Sequence, residues 1–139
     1  MSARVHLTRR YHFSASHRLH VDALSPEENR ATFGKCNNPF GHGHNYVVEI
    51  TMAGPVDAAT GMVTNLTDLD SFAQRTMLDV FDHANLNTLE AFVDRVSTTE
   101  NLCVEVWRMF ADYPTATLER VRIEETGNNS FEYFGDGGE

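Results

Sequence analysis

The chain has 139 residues, 41% of them hydrophobic and 22% charged, which is ordinary usage for one folded domain over residues 1–139 that buries a core without disulfide staples. A net charge of −9 argues against a nucleic-acid partner; no apolar run approaches the ~20 residues of a membrane span, and the opening "MSARVHLTRRYHF" does not read as a secretion signal. The expectation is a cytoplasmic protein whose two cysteines, Cys36 and Cys103, stay reduced.

The charge is uneven along the chain. Residues 1–50 hold six of the eleven basic residues against four acids, a balance of +2 that leaves −11 for the rest. Arg9, Arg10, Arg18, Arg30 and Lys35 are therefore candidates to receive a small anionic ligand, against the plainer reading of a solvated surface of mixed charge.

From Val5 to His17 the odd positions read Val, Leu, Arg, Tyr, Phe, Ala and His. This imperfect period of two predicts a strand with one buried face, on which His17 joins Tyr11 and Phe13. Residues 20–41 carry Ser25-Pro26, Asn29, Gly34, Asn37, Asn38, Pro39 and Gly41, which punctuate the chain and predict a long loop. A second strand over 42–53 places His42, His44, Tyr46, Val48, Ile50 and Met52 on one face, and "AGPVDAATGM" closes it as a turn region. Thr67 with Asp70 predicts the start of a helix whose stripe is Leu69, Phe72, Ala73, Thr76 and Val80. The segment "FDHANLN" interrupts that stripe.

"STTE", Ser97 to Glu100, reads as a capping box opening a second helix with Leu102, Val106, Met109 and Phe110 inward, stopped by Tyr113-Pro114. Residues 117–125 alternate again, with Val121, Ile123 and Glu125 facing one way and Leu118, Arg120, Arg122 and Glu124 the other. "TGNN" then turns the chain into a last strand over 131–134. Strand, strand, helix, helix, strand, strand predicts an α+β fold: a four-stranded antiparallel sheet with two helices on one face. Such a sheet has open edges that gain by joining its neighbours' sheets.

The stretch "CNNPFGHGHNYVVEI", residues 36–50, carries the chemistry. Residues i and i+2 of a strand project the same way, so His42 and His44 present two imidazoles to one point. His17, at the end of another strand and on its inward face, supplies a third if those strands pair antiparallel. Three histidines and an open position suit catalytic zinc, whereas the plain alternative is polar residues on a half-exposed strand. Gly43 between the histidines, preceded by Gly41, points to a backbone shaped for the site at some expense of strand stability. Cys36 is either a fourth ligand closing a structural site or a free thiol beside an open metal. Lys35, Asn37 and Asn38 around it favour the thiolate. Cys103, beside Leu102 and Trp107 on a helical stripe, reads as a core filler. Asp82-His83 could orient a third group, although sequence neighbours seldom hydrogen-bond each other usefully. Glu125 continues an apolar face, where a carboxylate needs partners; it either binds a ligand's N–H donors bidentately or lies in water at a strand end.

Taken together, "FSASHRLH", "FGKCNNPFGHGHNY", "TGMVTNLTDL", "DHANLN", "STTEN" and "ETGNN" resemble the 6-pyruvoyl-tetrahydropterin synthase family from about Phe13 to Phe134. By that resemblance His17, His42 and His44 hold catalytic Zn²⁺, and Cys36, Asp82 and His83 handle protons. Glu125 is the pterin anchor, with Thr98 and Thr99 lining the same pocket. The resemblance further implies the tunnelling fold, with three subunits joining sheets into a barrel and two trimers stacking into a homohexamer, so that Asp82 and His83 approach Cys36 from a neighbouring chain. The implied reaction is that of a carbon–oxygen lyase of tetrahydrobiopterin biosynthesis, converting 7,8-dihydroneopterin triphosphate to 6-pyruvoyl-tetrahydropterin with loss of triphosphate. The nearest rival is 6-carboxytetrahydropterin synthase, which serves queuosine precursor synthesis from the same substrate; the five residues "NNPFG" between Cys36 and His42 resemble the pyruvoyl enzyme. A non-catalytic zinc module closed by Cys36 is the remote alternative. Phe40 and Gly127 depart from the family pattern.

Overall fold

The computed structural model describes residues 3–135, so the first two and last four residues of the predicted domain lie outside them. Strands β1 (Arg4–His17) and β2 (His42–Pro55) pair antiparallel along their whole length, with His17 opposite His42 and Ala15 opposite His44. The predicted inward faces hold from Tyr11 onward in β1, where Val5 at the start is exposed, and along β2 from Tyr46. Tyr11, Phe13 and Ala15 of β1 and Tyr46, Val48, Ile50 and Met52 of β2 are buried, and a fully buried side chain of this size contributes about 1.5–3 kcal/mol.

The segment predicted as a loop contains a helix, α1 (Pro26–Phe33). Its start follows local rules: Ser25 accepts from the Glu28 amide, Glu28 accepts from the Ser25 amide, and Pro26 occupies the first turn. A 3₁₀ turn, Gly34–Asn37, brings the chain back towards β2. The N-cap of helix α2 (Leu66–Ala73) is Asn65, two residues before the predicted Thr67, and its side chain accepts from the Thr67 and Asp68 amides. A π-helical turn, Gln74–Leu78, and a last turn, Asp79–Phe81, carry it on. Helix α3 (Thr99–Phe110) is capped by Thr98, whose hydroxyl accepts from the Asn101 amide. The predicted Ser97 cap is displaced by one residue, since Ser97 is buried and its carbonyl is taken by His17.

The sheet is five-stranded and mixed, in the order β3-β1-β2-β4-β5, which corrects the expected four-stranded antiparallel arrangement. The added strand, β3 (Ala84–Asn85), runs parallel to β1 beside Ala15 and Ser16. Strands β4 (Thr117–Thr126) and β5 (Asn129–Tyr133) complete the other side. Two irregularities in β4 matter. Between β2 and β4 the register slips at Thr51/Met52, so that Arg120 faces Thr51 and Leu118 faces Met52. Glu119 is the extra residue, and Leu118 joins Val121 and Ile123 in the core rather than the opposite face. Between β4 and β5 the slip falls at Glu125, a bulge that aims one side chain independently of the ladder.

Helices α2 and α3 cover one face of the sheet through Leu69, Phe72, Met77, Phe81, Leu102, Val106 and Phe110, all buried. Cys103 is 2% exposed in the same cluster, and burial pushes its thiol up to about 12. Both cysteines are free, and no described helix is long and apolar enough to cross a membrane.

Candidate metal centre and its cleft

The β1/β2 register sets three imidazoles at one end of the covered face. The ligand atoms of His17, His42 and His44 all lie within 4.8 Å of one another. His17 is fully buried and directs Nδ1 to the Ser97 carbonyl at 2.7 Å. That bond leaves the Nε2 lone pair towards the cluster, where Nε2 is buried with no hydrogen-bond partner. The Nε2 atoms of His42 and His44 stand 3.0 Å apart. Burial pushes the His17 and His44 rings below the ordinary histidine value, against the opposing pull of the Ser97 carbonyl on His17 and of the Glu125 carboxylate on His44. Three imidazoles with converging ring nitrogens are the donor set of a divalent transition metal, so these residues fit zinc. A buried orphan nitrogen is otherwise a cost of about 1–3 kcal/mol.

Glycine is needed at Gly41 rather than at Gly43. Gly41 has φ +73°, and a Cβ there would stand 3.1 Å from the His17 carbonyl oxygen, whereas a Cβ on Gly43 would make only an ordinary 3.6 Å contact with the Ala15 oxygen.

Glu125 borders the cluster, with Oε2 at 3.7 Å from His44 Nε2 and 3.9 Å from His17 Nε2. Thr99 donates to the same oxygen at 2.7 Å, and the Asn129 amide donates to Oε1 at 3.2 Å. Burial works to raise this carboxyl; the Thr99 and Asn129 hydrogen bonds and the two rings outweigh it and hold Glu125 below the usual range. Of the paired threonines, Thr99 orients the Glu125 carboxylate while Thr98 is committed to capping α3.

Cys36, half-buried in the 3₁₀ turn, lines a cleft of about 770 Å³ with His42, His44 and Glu125. Its sulfur lies outside the three-imidazole group, which favours the free thiol over the fourth ligand. Burial, and then the Glu125 charge, push this thiol up, reversing the expectation drawn from Lys35 and the asparagines. Asp82 and His83 are placed elsewhere in the same chain, on the far edge of β1. Asp82 Oδ1 accepts from the Ser14 amide at 3.0 Å and lies 3.2 Å from His83 Nδ1. The two neighbours do touch, because His83 adopts φ 63° and turns its ring back over Asp82. The imidazole is 84% exposed. Within one chain, therefore, the three imidazoles, Cys36, Glu125 and Thr99 come together, and Asp82-His83 do not join them.

Sequence reading missed two supports. The Ser97 carbonyl carries no side-chain signal at all. Asn129, two residues into the "GNN" turn, could have been found from the need of Glu125 for donors. Phe40 is 97% exposed, and Gly127 has open space about it, so neither disturbs the cleft.

The family model "6-pyruvoyl tetrahydropterin synthase" matches residues 6–136. A 6-pyruvoyl tetrahydrobiopterin synthase from Poecilia reticulata is 49% identical over 133 residues, 94% of this chain and 90% of the relative. The human protein of that name is 48% identical over 132 residues, 94% and 91% of the two chains. The solved structure of Caenorhabditis elegans 6-pyruvoyl tetrahydropterin synthase superposes with a TM-score of 0.91 at 42% identity, covering 97% of this chain and 98% of the other.

Proposed function

Because the chain belongs to the 6-pyruvoyl tetrahydropterin synthase family, we propose that it is a zinc-dependent lyase, one domain over residues 1–139, converting 7,8-dihydroneopterin triphosphate to 6-pyruvoyl-tetrahydropterin and releasing triphosphate. The observation that carries this reading is the convergence of an unpartnered His17 Nε2 with the two β2 imidazoles, which themselves line a cleft with Cys36 and Glu125.

His17, His42 and His44 hold the metal. Bound there, zinc supplies Lewis acidity towards the oxygens of the substrate side chain, whose C–H bonds are too weakly acidic to ionise unaided. Glu125 binds the N–H edge of the pterin with its two oxygens, kept ionised and oriented by Thr99 and Asn129. Cys36 takes and returns the side-chain proton, a role typically worth ~10²- to 10⁴-fold.

A thiol raised by burial and by Glu125 needs a cationic partner to ionise. His83, with Asp82 beside Nδ1, is that partner, and its exposure on an outer edge suits delivery to a second subunit. Among the described residues β1 is paired with β3 only at Ala15 and Ser16, and Ser14 is bonded on the same side to Asp82 and His83, leaving Arg4 to Phe13 as an open edge; β5 is the opposite edge. Joining these edges gives the trimeric barrel, and two barrels the homohexamer, with cytoplasmic activity and no nucleic-acid or membrane partner.

The test is to incubate zinc-loaded protein with 7,8-dihydroneopterin triphosphate and weigh the product. The 6-pyruvoyl mass supports the reading; a 6-carboxy product assigns the chain the rival chemistry, and an unchanged substrate removes the lyase.

A further inference from the structure

Five cations of the first fifty residues were candidates for an anionic ligand, and the structure separates them. Arg9 is bound to Asp70 at 2.8 Å and Arg10 to Glu49 at 2.8 Å. Arg18 donates its Nε to the Asn37 carbonyl at 3.2 Å and lines a different cleft, together with Asp22 and Asp94. Arg30 and Lys35 remain. Both are exposed, and among the described residues neither side chain has an ion-pair or hydrogen-bond partner. Both line the cleft of Cys36, His42, His44 and Glu125.

Their placement is built rather than incidental. Asn29, fully buried beside Arg30, accepts from the Val21 amide at 2.8 Å and gives its own amide to the carbonyls of Val21, Leu24 and Ser25. Gly34, at φ +58°, ends α1 by donating to the Arg30 carbonyl. Asn37, 5% exposed, donates to the Leu19 carbonyl at 2.7 Å, and the Cys36 carbonyl accepts from the Leu19 amide at 2.7 Å. Two buried asparagines thus fix to the segment that follows β1, Leu19 to Ser25, the helix and turn that carry two unspent cations. The acids of α1, Glu27 and Glu28, lie in its first turn, and Glu28 is engaged in the cap. The lining carboxylate, Glu125, accepts one hydrogen bond on each oxygen, from Thr99 and Asn129, and makes no ion pair or hydrogen bond with either cation among the described residues.

We infer that Arg30 and Lys35 form the polyphosphate-recognition site of this cleft, receiving the triphosphate of a substrate whose pterin end is held at Glu125. The inference rests on the functional reading above and narrows it. A guanidinium offers paired donors to two phosphate oxygens, and an ammonium adds a mobile point charge, so the pair suits a flexible, highly charged tail.

The probe is inorganic tripolyphosphate, titrated calorimetrically into zinc-loaded protein, beside KM for 7,8-dihydroneopterin triphosphate and the affinity for phosphate-free 7,8-dihydroneopterin. Arg30→Gln or Lys35→Gln alone should weaken tripolyphosphate binding and raise KM by about tenfold, and the double variant by about a hundredfold. The binding should weaken with rising salt in the parent and less so in the double variant. Affinity for 7,8-dihydroneopterin and zinc content should stay at parental values. Unaltered tripolyphosphate affinity in the double variant overturns the inference, as does an equal loss of 7,8-dihydroneopterin affinity, which would mark a structural role. A parent that binds tripolyphosphate through this pair yet leaves the substrate unchanged keeps the anion site and removes the lyase reading. A parent that turns the substrate over but shows no tripolyphosphate affinity does the reverse.

Discussion

Strand β2 carries two polar clusters on opposite faces, five residues apart, and they are built in opposite ways. Around Glu49, whose side chain is 12% exposed, Arg10, Arg120 and Arg122 stand at 2.8, 3.0 and 3.5 Å, and Arg120 reaches on to Glu132. Charge there is met by charge. At His44, on the covered face, His17 Nε2 is left without a partner and two Nε2 atoms meet at 3.0 Å. A polar cluster satisfied by its own chain holds structure together; one left short of partners is waiting for something from outside.

Four measurements sharpen or break that contrast. The largest effect is expected from His42→Ala, which should abolish stoichiometric zinc in elemental analysis and lower turnover by at least about 10³-fold, several kcal/mol of transition-state stabilisation. Retained zinc would show that the imidazole group is not the metal centre. Next, Cys36→Ala should lose about 10²- to 10⁴-fold in turnover while zinc content and melting temperature stay unchanged. If zinc and fold go together instead, the sulfur is a ligand and the module is structural.

Glu49→Gln should act on stability alone. Leaving three partly exposed guanidinium groups without their carboxylate costs about 2 kcal/mol, a fall of roughly 5–10 °C in Tm, with zinc content untouched. A loss of zinc would mean that the two faces are not independent.

The smallest effect concerns Asp70, where the hydrogen bond from Arg9 leads in holding the carboxyl below its ordinary value; burial opposes it and the Tyr11 hydroxyl adds to it. A lowered native value means that the unfolded chain binds more protons as the solution is acidified. This contribution to stability is therefore present above the ordinary carboxylate value near 4 and is lost as pH falls through the lowered one. Asp70→Asn should flatten that acid limb in urea titrations at pH 2–5, and an unchanged limb would assign the acid sensitivity elsewhere.

The Glu49 half of this contrast was not legible in the sequence; the histidine half was, because period-two alternation is a backbone property that survives folding. It placed His17 on the face of Tyr11 and Phe13, and His42 and His44 on that of Tyr46. The misses share another cause. Helix α1 has a capping box at Ser25–Glu28 but no apolar stripe, since only Asn29 of its residues is buried, and Ser25-Pro26 reads equally as punctuation. Strand β3 has two residues and a parallel partner sixty-nine positions away, a pairing that tertiary contact alone creates. The bulge at Glu119 moves Leu118 across the sheet, because register belongs to two strands at once. The Asp82-His83 contact depends on a left-handed residue that no side-chain pattern announces.

Ser97, Thr98 and Thr99 are three consecutive residues with three different assignments: one fixes a ring nitrogen, one starts α3, and one aims a carboxylate. Seating of that helix is therefore tied to the placement of both the His17 ring and the Glu125 carboxylate. On the proposed function, fraying at this junction would loosen the His17 ring and the Glu125 carboxylate together, so deuterium uptake at the Asn101 amide should track metal loading.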